Sequence, residues 1–451
     1  MRSGLLARVC YGDCVKRQFW ILLLCVSCCL ALGTQFAQCN PFLPYLSKQP
    51  PRIVRDLGTT QLGDVQLHRV VFYSRTVQTA SGPVDTDVYA VIASPRRTGR
   101  YPGMVLLHGG DGNAQEDLAI SWASQGYVAI AADLPGIANS QKTPNSSGAW
   151  TKGEYGKRHF VAAPDATNAD IFEGVLAGLQ SLYLLRAQPY VDPNRIGVAG
   201  VSWGGYSTIV ISGLVGKDVR AAFVVYGSGH YDAGSTFASA LAKLPNDEAW
   251  RWLDELDASR YAPGITADFM EASATNDHFF WIPAVEATLD DVRAPKNQVY
   301  SPNTNHWIAV PGGCESKKEG VPHNNGWLSM QVPYFAYELK DEGQAFPVVE
   351  VGNAVSLPLG TQRVQFRVSS GEGELAASVE YSAPAPLWSD RKWISVPATR
   401  QGDSYVAEIP AGVTWFAQVT DSRPVTVSSR MQAMPAGAGA DLGAIERTQK
   451  D

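Results

Sequence analysis

Residues 198–208 read VAGVSWGGYST, so Ser202 stands between Gly200-Val201 and Trp203-Gly204, with Gly205 following. The segment before it, RIGVAG over 195–200, is a short apolar run after the turn signal Asp192-Pro193-Asn194, and reads as a buried strand. The segment after it, GYSTIVISGLV, is apolar and long enough for a helix. A serine on so sharp a strand-to-helix turn has its Oγ pushed out of the sheet, where it can act as a nucleophile. Glycines at 200 and 204 leave room where a Cβ would meet neighbouring backbone.

Such a serine needs a base to take its proton and a carboxylate to orient that base. Behind an elbow of this kind they follow in the order serine, acid, histidine. Asp277, in ATNDHFF, lies in the loop after a strand that ends near 274, and His306, in SPNTNHW, lies just after the next strand. Of the seven histidines, His68 and His108 precede the serine, while His159 and His230 lie upstream of the acid. His278 falls in the acid loop, and His323, in VPHNNGW, is the alternative base. The backbone N–H of Trp203 and that of Gly110, in VLLHGG, are placed to hold a developing oxyanion. His108 reads as a hydrogen-bonded structural histidine. Aromatic side chains crowd these positions. Phe279, Trp281 and Trp307 are expected to line a substrate pocket or to pack under it. No His/Cys/Asp cluster has metal-ligand spacing, so no metal site is expected.

The elements that must position these residues follow an alternating pattern. Residues 65–97 hold two alternating runs split by a Gly-Pro turn, which predicts a leading antiparallel pair. GMVLLHGG is a strand, and 113–126 a helix with Asn113 and Glu116 at capping-box spacing and Gly126 as its stop. Residues 127–136, 221–227, 267–274 and 297–303 read as further strands, and 170–187 as a helix. Apolar strands alternating with helices mean an α/β chain whose mostly parallel sheet is covered on both faces. The polar stretch 137–165 and the segment 228–263 break the alternation. Both leave the carboxyl ends of strands, where such sheets bind ligands. From about 346 to 430, short alternating runs predict a small antiparallel β-sandwich, with a disordered tail over 431–451. Its tryptophans, Trp388, Trp393 and Trp415, suit either a glycan-binding face or a sandwich core.

The chain has 451 residues and a formal net charge of −6, with no Lys/Arg block, which gives no basis for a nucleic-acid partner. Arg2, Arg8, Lys16 and Arg17 precede the apolar run FWILLLCVSCCLAL, a secretory signal over 1–33, followed by an extension over 34–64. No integral span is expected, and the location is secreted or periplasmic. Acylation at Cys28 or Cys39 is the lipid-anchored alternative. Cys39 and Cys314, the two cysteines beyond the signal, could pair.

LLHGGDGN, AADLPG, GVSWGGY, TNDHFF and NTNH come in the order and spacing of the α/β-hydrolase superfamily, which residues 65–345 resemble. Within it the chain is similar to secreted esterases of acetylxylan-esterase-like, dienelactone-hydrolase-like or prolyl-oligopeptidase-like type. It differs from the dienelactone hydrolases in having Ser202 where they use cysteine, and from the acetylxylan esterases in having Trp203 where glutamine is usual. The trailing β-region resembles one behind some bacterial hydrolases, including PhoPQ-activated pathogenicity-related proteins. The resemblance implies an eight-stranded sheet, a Ser–Asp–His triad and no cofactor. The expected activity is hydrolysis of carboxylic esters, with short acyl groups on a small molecule or polysaccharide. A serine peptidase of prolyl-oligopeptidase-like type, or a non-catalytic binding protein on the same fold, are the alternatives.

Overall fold

The computed structural model describes residues 40–232, 235–314 and 327–435. The signal segment, Cys39, His323 and residues 436–451 of the tail lie outside the described residues. The chain divides into two compact units, Met1–Leu46 and Ser47–Asp451. The described part of the first holds one 3-10 turn, Leu43–Tyr45; all that follows concerns the second.

Strand β1 (Ile53–Leu62) opens the sheet and lies within the stretch read as an extension, pairing antiparallel with β2 (Val65–Thr79). β2 and β3 (Gly82–Pro95) form the expected antiparallel pair, with Ala80 and Ser81 between them. Then come β4 (Tyr101–Leu107), helix α1 (Glu116–Ser124), β5 (Val128–Ala132) and α2 (Asp170–Arg186). They are followed by β6 (Val191–Val201), α3 (Trp203–Val215), β7 (Ala221–Val225), α4 (Ala238–Leu241) and α5 (Asn246–Glu255). β8 (Asp268–Ala274), α6 (Ile282–Asp291), β9 (Lys296–Ser301) and α7 (Gln331–Lys340) complete the alternation. In space the order β2-β3-β5-β4-β6-β7-β8-β9 gives eight strands, of which β5 through β9 are parallel neighbours. β5 and β7 are buried along their whole length, as strands covered on both faces must be.

Helix α1 starts two residues later than its capping-box spacing predicts. Gln115 occupies the N-cap, and no side chain caps the helix. The Glu116 carboxylate is drawn off instead by the Arg69 guanidinium at 2.7 Å and by the Tyr89 hydroxyl at 2.5 Å. A charge-assisted bidentate pair is stronger than a return bond to a backbone N–H. Gly126 ends the segment with φ +82°, as expected of a helix stop.

The carboxyl-terminal strands are β10 (Val348–Val351), β11 (Val355–Leu357), β12 (Thr361–Ser369), β13 (Ala376–Ser382), β14 (Ile394–Pro397), β15 (Thr399–Gln401), β16 (Ser404–Pro410), β17 (Thr414–Thr420) and β18 (Thr426–Ser428). They form two antiparallel layers. β10-β12-β16-β15, with β11 on β12, is a sheet of its own. The other layer, β18-β17-β13-β14, continues the main sheet, because β18 pairs antiparallel with β9 through Ser428 and Gln298. Side chains lengthen that short junction: Tyr300 N–H donates to Ser428 Oγ at 3.0 Å, and Gln418 Nε2 donates to the Tyr300 carbonyl at 2.7 Å. An exposed edge at β9 would present unpaired backbone groups; β18 covers it. The result is a thirteen-stranded sheet. Val364, Phe366 and Ile409 on one layer and Val379, Ala417 and Val419 on the other are buried. Trp388, Trp393 and Trp415 are buried as well, which removes them from any exposed glycan-binding face. Order extends past the expected start of the tail: Gln432 bridges to Trp415, and Met431 N–H donates to Glu286.

Among the described residues no helix is long and apolar enough to cross a membrane.

Candidate active site

The turn between β6 and α3 holds Ser202 at φ 57° and ψ −121°, a backbone state that costs about 1–3 kcal/mol for a non-glycine residue and persists only when its surroundings fix it. Two contacts fix it: Ser202 N–H donates to the Val225 carbonyl at 2.8 Å, and Tyr206 N–H donates to the Ser202 carbonyl at 2.9 Å. The glycines are a steric requirement. A Cβ on Gly200 would lie 2.1 Å from the Gly204 carbonyl oxygen. Ser202 sits at the amino end of α3, where the helix dipole favours developing negative charge.

Asp277 lies in the loop after β8 and His306 in the loop after β9, the positions their sequence order predicts. His306 Nδ1 is 2.7 Å from Asp277 Oδ2. Asp277 is 1% exposed, and its other oxygen accepts from the N–H groups of Phe279 and Phe280 at 2.7 and 3.2 Å. A carboxylate so engaged cannot donate, so Nδ1 carries the proton and Nε2 is left with its lone pair. The imidazole is held between rings: Tyr226 at 4.3 Å between centroids on one side, Phe280 stacked at 6.1 Å, and Phe279 edge-on at 5.2 Å.

Ser202 and His306 line one cavity of about 500 Å³ together with Gly109, Gly110, Trp203, Phe279 and Trp307. Asp277 stands behind His306, out of the cavity. Among the described residues neither Gly110 nor Trp203 gives its backbone N–H to another backbone group. Both residues line the cavity together with Ser202. The loop carrying Gly110 is fixed by His108, which is buried and neutral, its pKa pushed down to about 4 by loss of hydration. Its Nδ1 donates to the Gly109 carbonyl at 2.7 Å, and its Nε2 accepts from Leu134 N–H at 3.0 Å.

The aromatic residues divide between the two roles that the sequence leaves open. Phe279 and Trp307 are 42% and 40% exposed at the cavity wall. Trp281 is not among the lining residues. It is buried at the N-cap of α6, with its indole N–H donating to the His278 carbonyl at 3.2 Å, because the turn made by Asp277 rotates it away from the cavity.

Several lining residues carry no signal in the sequence. Tyr155, His159 and Phe160 come from the polar stretch 137–165, and Phe237 from the segment 228–263. Those two insertions are therefore cavity walls. Their irregular backbone has no period by which to single out inward-facing side chains. Phe237 packs on the Trp203 ring at 4.8 Å, and His159, held neutral by burial, packs edge-on to it at 5.1 Å. Tyr226 and Cys314 complete the wall, with the Tyr226 hydroxyl 3.6 Å from the Cys314 thiol. Cys314 forms no disulfide among the described residues.

One ionisable lining residue at the rim, Asp111, is already committed: Lys142 Nζ lies 2.5 Å from its carboxylate, and Asn139 also donates to it. Beneath the floor, Glu271 on β8 is fully buried. Burial pushes its carboxyl up to about 8, and nearby Asp277 acts in the same direction, while bonds from Ser273 Oγ at 2.7 Å and Gly227 N–H at 3.4 Å act against it.

The strand order is that of the α/β-hydrolase fold. Residues 88–249 match the dienelactone hydrolase family. Dipeptidyl-peptidase 5 of Porphyromonas gingivalis is 26% identical over 239 residues, 47% of this chain and 31% of the peptidase, so the chain spans about a third of that relative's length. Acetyl xylan esterase 1 from Thermoanaerobacterium sp. superposes with a TM-score of 0.50 at 18% identity, covering 63% of this chain and 89% of the esterase. At that identity the likeness speaks for the fold.

Proposed function

We propose that the protein is a serine carboxylesterase working through Ser202, His306 and Asp277. The observation that carries this reading is the Asp277-oriented imidazole facing the same cavity as a strained, elbow-borne serine. His306 Nε2 takes the Ser202 proton as Oγ attacks the ester carbonyl. The N–H groups of Trp203 and Gly110 receive the oxyanion. His306 then gives that proton to the leaving alcohol, and the acyl group stays on Ser202. Water, deprotonated by the same nitrogen, repeats the attack and frees the acid.

The cavity favours a neutral, apolar acyl group. Its walls are mainly aromatic, its histidine His159 is neutral, and its rim carboxylate Asp111 is held by Lys142. Short acyl esters fit this reading, and the likeness to an acetyl xylan esterase supports acetylated glycans as the first natural substrates to try. The apolar run after a basic start supports export of the protein. Hydrolysis of p-nitrophenyl esters from acetate to octanoate tests the assignment: activity that falls with acyl length and vanishes in Ser202→Ala supports it. A folded enzyme inactive on the whole series refutes it.

The similarity to a dipeptidyl-peptidase favours a second reading, cleavage of peptides by the same machinery. An ammonium-reading peptidase needs a free carboxylate, and the committed Asp111 does not offer one. Turnover of chromogenic dipeptide amides faster than any ester would favour the peptidase.

A further inference from the structure

Both loops that carry the acid and the base are tied to one short segment of the carboxyl-terminal β-region, residues 388–393, between β13 and β14. The ties flank the functional side chains. Asn276, the neighbour of Asp277, donates through Nδ2 to the carbonyls of Ser389 and Arg391 at 2.7 and 2.6 Å. The Trp388 indole N–H donates to the Thr275 carbonyl at 3.1 Å. Asn303, in the loop that leads to His306, makes a reciprocal pair with Trp393: Nδ2 donates to the Trp393 carbonyl at 2.8 Å, and Oδ1 accepts the Trp393 N–H at 2.8 Å.

The two loops are also stitched to each other. Asn276 N–H donates to the Thr304 carbonyl at 3.0 Å, Asn303 N–H to Thr275 Oγ1 at 2.9 Å, and His278 N–H to Asn305 Oδ1 at 2.9 Å. Their backbone does not hold this shape alone. Asn303 at φ 55° and His306 at φ 49° are both in the left-handed region. Such residues keep their conformation only where neighbouring structure over-determines it. Here that structure comes from the β-region.

We infer that the 388–393 segment is a built-in brace for the acid and base loops, and that Asn276, Asn303 and Trp388 are positioning residues for the Asp277–His306 pair. The inference rests on the esterase reading for its catalytic consequence, though not for its structural one. The β-region thereby gains an internal role, since without it the imidazole loses the place it holds beside Asp277 in the cavity shared with Ser202.

The test uses the full-length protein and three variants, Asn276→Ala, Asn303→Ala and Trp388→Phe. Asn303 is exposed, and Trp388→Phe keeps an aromatic ring while removing the indole donor, so the core is left intact. Arg363→Ala is the control, since it breaks an exposed ion pair with Glu408 in the separate sheet. Three readouts are taken: kcat and KM on p-nitrophenyl acetate, the rate of Ser202 labelling by a fluorophosphonate, and the downfield proton resonance of His306 Nδ1–H. Asn303→Ala is expected to lower kcat about 100-fold, the scale of a 1 Å misplacement, with KM nearly unchanged. Labelling should slow in parallel, and the resonance should broaden or vanish. Asn303→Asp, which keeps the acceptor for the Trp393 N–H, should recover part of the loss. Arg363→Ala should match the wild type throughout. Folded variants with wild-type kcat, labelling and resonance overturn the brace, as does a lowered melting temperature with all three intact. If the wild type neither hydrolyses esters nor takes the label, the esterase reading fails; the resonance still decides whether the segment orients the pair.

Discussion

Gly204 packs against the end of β4 so closely that a Cβ on it would lie 2.1 Å from the carbonyl oxygen of Leu107. That carbonyl is backbone and cannot turn aside. Gly204→Ala should therefore destabilise the fold by about 3 kcal/mol, the upper range of overpacking, as read by denaturant unfolding. Gly110→Ala provides the contrast. Its Cβ would meet Tyr155 Oη at 2.0 Å, the tip of a side chain that is 40% exposed. That variant should keep its stability within about 0.5 kcal/mol while losing activity. Equal stability losses in the two variants would contradict the distinction.

Ser202→Ala should remove ester hydrolysis by at least about 10⁴-fold while the protein stays folded. The check is a p-nitrophenyl acetate assay beside a circular dichroism spectrum. Residual activity above that floor would mean that another nucleophile is at work.

Asp277→Asn should lower kcat by about 10⁴-fold, because the amide turns a donor toward Nδ1 and favours the wrong imidazole tautomer. The Phe279 and Phe280 N–H groups keep one acceptor oxygen, so the loop should remain in place. A variant that retains near-wild-type kcat would assign the orienting role elsewhere.

Glu271 predicts a pH dependence of stability. Its folded-state pKa, pushed up to about 8 by burial, exceeds the ordinary glutamate value. The native state thus binds the proton more tightly than the unfolded chain. The resulting stabilisation is fully present below pH about 4 and is lost as the pH rises through about 8. Glu271→Gln mimics the neutral acid at every pH. Its melting temperature relative to wild type should rise from pH 5 to about 8 and level off above that. A constant difference would show that Glu271 is ionised in the native protein.

His108 predicts the opposite trend on acidification. Burial pushes its imidazole down to about 4, so the unfolded chain takes up the proton first. Stability that is present above pH about 6.5 is lost as the pH falls toward 4. Proton uptake on unfolding at pH 5, measured by calorimetry in buffers of different ionisation enthalpy, should fall by about one in His108→Gln. No change in uptake would place a charged imidazole in the native loop.

The elbow is legible in the sequence because its strand and helix are continuous apolar runs and because only glycine fits at 200 and 204. Asp277 and His306 can be read from chain order, and the fold brings them within 2.7 Å of each other behind Ser202. The cavity walls are not legible, since Tyr155, Phe160 and Phe237 stand on irregular backbone without a period. The start of α1 departs from its capping-box spacing because Glu116 answers to Arg69 on β2 and Tyr89 on β3, distant partners that no local pattern reveals. The fusion of the two β-regions rests on contacts such as that of Gln298 with Ser428, 130 positions apart, and a run of alternating residues does not say which edge it will join.

The placement of β18 beside β9 has a consequence for the order of assembly. The strand that leads into the His306 loop finds its outer neighbour only when the ribosome has added residues 426–428, and the segment holding both catalytic loops arrives only shortly before that. Pairings between positions so far apart are slow to form and leave sheet edges bare in the meantime. A nascent chain stalled before residue 388 would present the Ser202 elbow with the His306 loop unanchored. On this ordering the His306 loop is held in place only after residues 388–428 have been added.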